Sequence, residues 1–166
     1  MKNILLTLLA LIIVSQLQAQ TIELPNTVIS VNYKYLNATD SDDAPVRVKQ
    51  LEEAVSNYDN AELSELYDDE YDTYKVSFFI PEGKIVAAID KNGKIIRTIE
   101  KYNNVRLPLA VMQAISNRYP NWAIVEDVYF IKYHCEADDL KKEYKVKIKN
   151  DNKIVTVRTN EKGDFI

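Results

Sequence analysis

The chain has 166 residues, 21 basic and 25 acidic, for a formal net charge of −4, with three glycines, one histidine and one cysteine. A single histidine excludes every motif that needs two, the HExxH metalloproteases and HxGH nucleotidyltransferases among them. Gly83, Gly93 and Gly163 stand too far apart to build a phosphate-cradling loop, Cys135 has no partner for an intramolecular disulfide, and the acidic balance argues against a nucleic-acid partner.

In chain order, Met1–Ala19 joins Lys2, an apolar run Ile4–Val14 and a polar end at Ala19. That pattern reads as a cleaved secretory signal peptide. The run is shorter than the ~20 apolar residues of a membrane span. An exported chain, periplasmic or secreted and without membrane insertion after cleavage, is expected. Thr27–Leu36, with Val28, Ile29, Val31, Tyr33 and Tyr35, predicts a strand, and Asn37–Ala44 an acidic loop. Val46–Tyr58 predicts a helix that starts at Pro45 and turns Val48, Leu51, Val55 and Tyr58 inward. Asp59–Thr73 is acidic and rich in tyrosine, with a short strand expected around Leu63–Tyr67. Val76–Ile80 and Lys84–Ile89 predict a hairpin turned at Pro81-Glu82-Gly83. Lys91-Asn92-Gly93 then turns the chain into Lys94–Ile99, and Glu100–Asn104 reads as a link.

The second half has the clearer pattern. Leu107, Val111, Ala114, Ile115 and Tyr119 form one stripe of a helix over Leu107–Tyr119, entered at Pro108 and stopped at Pro120. Ala123–Cys135 is β-rich, with its alternation broken near Glu126–Asp127, where a bulge is expected. Tyr144, Val146 and Ile148 alternate with Lys145, Lys147 and Lys149, and Val155 and Val157 with Thr156 and Arg158. Turns at Asn150–Asn152 and Asn160–Gly163 close the meander.

The two halves echo each other. Tyr74-Lys75-Val76 answers Tyr144-Lys145-Val146, and Lys84-Ile85-Val86 answers Lys153-Ile154-Val155. Gly93 with Ile96 answers Gly163 with Ile166, and Ala54–Asn57 answers Ala114–Asn117. The expected fold is α+β: two tandem units, each a helix packed on one face of an antiparallel β-meander. After the signal peptide, 1–19, these units span 20–102 and 103–166.

The helix Leu107–Ile115, its exit Tyr119-Pro120-Asn121-Trp122, the Tyr144-Lys145-Val146 strand and the closing Asn160–Gly163 turn resemble a known pattern. It is similar to the PepSY-like, β-lactamase-inhibitor-protein-like (BLIP-like) domains of exported proteins from Bacteroidetes-type bacteria. The likeness implies helix-on-sheet units and a binding or inhibitory role outside the cytoplasm. It supplies no catalytic residue.

Chemistry is sparse. His134 and Cys135 are neighbours on a predicted strand and face opposite sides, which disfavours a thiolate–imidazole pair. Asp40, Asp42 and Asp43 lack the central glycine and terminal glutamate of a calcium loop, since Leu51 stands at the twelfth position. No catalytic residue, cofactor or metal is expected. Charge is the informative feature: Asp40–Asp72 holds 12 acidic and 2 basic residues, whereas Lys141–Arg158 holds 7 basic and 2 acidic. Such a bipolar chain suits a protein partner or head-to-tail self-association. Candidate partner-binding residues are Tyr67, Asp68, Asp69, Glu70 and Tyr71 with Lys145, Lys147, Lys149 and Arg158. The reading is a non-catalytic exported protein-binding module, an inhibitor or regulator of an extracytoplasmic enzyme. The alternative is a small ligand-binding or structural envelope protein.

Overall fold

The computed structural model describes residues 31–41, 43–59, 61, 72–137 and 139–166. The signal peptide, the start of the expected first strand and the whole of Tyr67–Tyr71 lie outside the described residues.

The described chain runs through helices α1 (Tyr33–Thr39) and α2 (Val46–Ser56), then strands β1 (Thr73–Ile80), β2 (Gly83–Asp90) and β3 (Ile95–Asn103). Helix α3 (Leu109–Arg118) follows, then β4 (Ala123–His134), β5 (Asp139–Asn150) and β6 (Lys153–Thr159). The architecture is α+β. All six strands pair antiparallel in sequence order, β1-β2-β3-β4-β5-β6, in one sheet. Strands β3 and β4 pair from Arg97↔His134 to Asn103↔Val128, so both meanders share that sheet.

Alternation decides which side chains meet the helices. Ile85, Ala87, Thr98, Glu100, Tyr102, Tyr129, Ile131, Tyr133, Tyr144, Val146, Ile148 and Val157 are buried beneath them. Tyr35 of α1, Val48, Leu51 and Val55 of α2, and Val111 and Ile115 of α3 close over that face in one continuous core. Tyr129 and Tyr144, partners across β4 and β5, stack with ring centroids 4.3 Å apart. The bulge expected in β4 near Glu126–Asp127 falls between Ile124 and Glu126.

Two expectations are corrected. Thr27–Leu36 was read as a strand, yet Tyr33–Thr39 is helical, with Tyr35 and Thr39 buried one turn apart while Val31 and Tyr33 are exposed. An alternation of apolar residues over so few positions also fits an i, i+4 pair, and packing on β4 selects the helix. Glu100–Asn104 was read as a link, yet β3 continues to Asn103. Glu100 alternates inward between Thr98 and Tyr102.

The echo between the halves has a geometric side. Asp90 Oδ1 accepts from the N–H groups of Asn92 and Lys94, at 2.8 and 2.9 Å. At the same offset, Asn160 Oδ1 accepts from those of Lys162 and Asp164, at 3.0 and 2.9 Å. Both turns place a glycine in the left-handed region, Gly93 at φ 78° and Gly163 at φ 86°. Val76 pairs with Ala87 as Val146 pairs with Val157. The Lys-Ile-Val match is out of step by one residue: Ile85 is buried, whereas Ile154 is 59% exposed and Val155 takes the inward position.

Candidate functional site

Among the described residues no helix covers the other face of the sheet, and the chemistry of that face follows from the pleat. β5 presents Lys141, Glu143, Lys145, Lys147 and Lys149 there, because Tyr144, Val146 and Ile148 point inward. Arg158 on β6 pairs with Lys145, and Thr156 with Lys147. Antiparallel registry adds cations from the other strands: Lys75, Lys84, Arg97, Lys101 and Lys132. By register, ten cations share one face with four acidic positions, Asp90, Glu126, Asp139 and Glu143, in a chain that is acidic overall. Asp90 is committed to its own turn. Lys147 is ion-paired to Glu126, and Arg158 grips Glu143 with two donors. These pairs hold the carboxyls of Glu126 and Glu143 below the usual carboxylate range. Phe79, Ile99 and Ile154 stand exposed among the cations at 70%, 55% and 59%.

Of the predicted contact residues, Lys145, Lys147, Lys149 and Arg158 come together on this face. Lys75, Lys84, Arg97, Lys101 and Lys132 join them, and sequence reasoning missed these. Their signal was the alternation of β1 to β4, which tells which residues share a side but not which strands adjoin.

A second polar site lies beneath the helices. Glu100 is fully buried and accepts from the hydroxyls of Tyr35 at 2.9 Å, Thr98 at 2.8 Å and Tyr102 at 2.9 Å. Glu100 on β3 stands opposite Ile131, which stands opposite Lys142 on β5. Lys142 is nearly buried, donates to the carbonyl of Thr39 at 2.9 Å and lies 3.7 Å from Glu161. Glu52 of α2 is also buried, and its Oε1 accepts no hydrogen bond among the described residues. Burial raises the Glu100 carboxyl above its ordinary range, against the pull of its three hydroxyl donors. Burial, then the nearby Glu100, push Glu52 up to about 9. Burial likewise lifts the phenols of Tyr35 and Tyr102. The arrangement keeps carboxyl protons out of water, and its hydroxyls are spent on Glu100 rather than offered to a substrate. Glu52 was legible in part, since it falls within the stripe Val48, Glu52, Val55 of an otherwise apolar helix face.

His134 ends β4, and its Nδ1 accepts from the N–H of Glu136 at 3.3 Å, while Cys135 is buried. Asp40 pairs with Lys49 at 3.0 Å. Among the described residues no group of three metal-ligating side chains converges, and no helix is long and apolar enough to cross a membrane.

Geometry thus defines an α+β protein with a strongly basic sheet face that no described helix covers and a closed, carboxyl-bearing interior. No protein-family model matches the chain, and no curated protein matches it. Among solved structures it is similar to a BLIP-like protein from Bacteroides fragilis, with 19% sequence identity over 69% of this chain and 82% of that one, and a TM-score of 0.34.

Proposed function

We propose that this is an exported, non-catalytic protein-binding module that docks an acidic partner on the outer face of its sheet. The observation that supports the reading is the charge of that face: ten cations against four acidic positions on a chain of net charge −4. Folding alone does not call for such a concentration, since like charges on neighbouring strands repel. A partner of opposite sign relieves that repulsion and is steered to the face. Phe79, Ile99 and Ile154 supply apolar anchors among the charges, as docking surfaces do. Export rests on the Met1–Ala19 pattern. The reading includes an inhibitor or regulator of an extracytoplasmic enzyme as the partner's class, with Tyr67–Tyr71 as a second contact. It also includes descent from a duplicated helix-plus-meander unit, which the matching Asp90–Lys94 and Asn160–Asp164 turns support.

The test uses the tagged chain as bait in an envelope extract, at low and at high salt. Stoichiometric capture of one acidic protein, lost at high salt and lost in Lys145→Glu/Arg158→Glu with an unchanged melting temperature, upholds the reading. Capture unaffected by that double reversal refutes the face. Retention on an anionic polymer with no protein captured replaces the protein partner by a polyanion. Reversal of Asp68–Glu70 tests the second contact in the same assay.

A further inference from the structure

We propose that a row of four residues on the outer sheet face, Phe79, Lys84, Lys101 and Phe130, docks an α-helix of the partner whose stripe reads apolar, acidic, acidic, apolar. The inference rests on the reading that this face takes an acidic protein, and it names the part of the face that does so. Register builds the row. Phe79 of β1 stands opposite Lys84 of β2, Lys84 opposite Lys101 of β3, and Lys101 opposite Phe130 of β4. Residues paired in this way share one side of the sheet. Phe79 is 70% exposed, both lysines are exposed, Phe130 is half-buried, and neither ring belongs to the core. Ile99, also exposed, flanks the row two residues before Lys101.

The charges of the face are unevenly matched. Arg158 grips Glu143 and Lys147 holds Glu126, both on the β4 to β6 side. Asp90 is held by its own turn, and Asp139 stands at the start of β5 opposite His134. No carboxylate stands beside Lys84 or Lys101 in the register, and neither side chain makes an ion pair or hydrogen bond among the described residues. Two ammonium groups directly opposite each other repel. A pair of carboxylates from a partner cancels that repulsion, and rings at both ends of the row shelter the charges from water.

Spacing selects the form of the occupant. Neighbouring strands lie about 4.8 Å apart, so the four positions span about 14 Å across the sheet. A helix shows one residue of a stripe per turn of about 5.4 Å, and positions i, i+4, i+7 and i+11 span about 16 Å. An extended strand shows one residue per roughly 6.7 Å on a given side, so four of them span about 20 Å and fall out of step with the row.

The experiment is an NMR titration of the full chain with an alanine-rich helical peptide of about 15 residues. The peptide carries leucine, glutamate, glutamate and leucine at i, i+4, i+7 and i+11. A peptide of the same composition with its glutamates on the opposite face, and inorganic phosphate, are the controls. Saturable shifts are expected at Phe79, Lys84, Ile99, Lys101 and Phe130, with an affinity at least about tenfold above that of the control peptide. Lys84→Glu turns a like-charged cross-strand pair into an opposite one, so it should melt no lower than the native chain and bind about tenfold or more weakly. Lys145→Glu/Lys149→Glu, on β5 and more than a Debye length of about 8 Å away, should change the affinity less than about threefold. Equal binding of the two peptides, equal shifts with phosphate, shifts centred on β5 and β6, or no saturable shift would each overturn the proposal. Capture of the natural partner separates it from the wider reading. Capture lost in Lys145→Glu/Arg158→Glu but kept in Lys84→Glu refutes the row alone, and capture kept in both refutes the face as well.

Discussion

Replacing Glu52 by glutamine should remove much of an unusual pH dependence of stability. Burial, and then the nearby Glu100, push the carboxyl of Glu52 up to about 9 in the folded chain, against about 4.5 once it is exposed to water. Between those values the folded chain holds a proton that the unfolded chain has released. Stability from this group is therefore complete below about pH 4.5 and is lost as pH rises through about 9. One such group gives a slope of about −1.4 kcal/mol per pH unit, or about 4 kcal/mol between pH 5.5 and 8.5. With a urea m-value of about 2 kcal/mol/M, the unfolding midpoint should fall by about 2 M over that interval. Glu100, also raised, adds in the same direction. The carboxyls held low by partners, Asp40, Glu126 and Glu143, lose their contribution only on acidification below this window. Glu52→Gln should exceed the native chain by about 1.4 kcal/mol at pH 5.5 and by about 4 kcal/mol more at pH 8.5, and retain only the slope due to Glu100. Glu52→Gln/Glu100→Gln should be nearly flat. Urea titrations at pH 5.5, 7.0 and 8.5 decide it. A native midpoint that stays level or rises with pH, or a Glu52→Gln slope equal to the native one, would refute the reasoning.

Three further outcomes concern packing. Gly163→Ala should cost about 1–3 kcal/mol by urea unfolding, because φ is +86° and an added Cβ would lie 2.7 Å from the carbonyl oxygen of Ala110. Ile115→Ala, in the fully covered stripe of α3, should cost about 2–5 kcal/mol in the same assay, with partner capture unchanged in the fraction that stays folded. Cys135 is buried, so a thiol reagent such as DTNB should label it far more slowly in buffer than in 8 M urea, and equal rates would place it at the surface.

Legibility varied along the chain for physical reasons. The stripe of α3 and the alternation of β5 are long, regular patterns, and Val111, Ile115, Tyr144, Val146 and Ile148 are buried as those patterns require. The helix is shorter than its stripe: Leu107 is buried just before Pro108, and Tyr119 caps the end. Segment 31–39 was misread because three or four alternating residues fit either period. Glu100 was misread because a charged residue argues for solvent unless its donors are in view, and Tyr35, Thr98 and Tyr102 come from two separate elements. Lys145, Lys147, Lys149 and Arg158 were legible as a group because alternation and one tight hairpin place them on one side.

By itself the sequence determined the local periods: which residues of each strand share a side, where Gly93 and Gly163 allow the chain to turn, and which stripe of α2 and α3 is covered. Those properties depend on the backbone's own geometry and on neighbours a few residues away. Only the tertiary structure decided that both meanders form one sheet, that five cations from β1 to β4 extend the basic face of β5 and β6, and that Glu52 and Glu100 meet under the helices. Strand order and the burial of a charge depend on contacts between residues distant in sequence, and no local pattern encodes these.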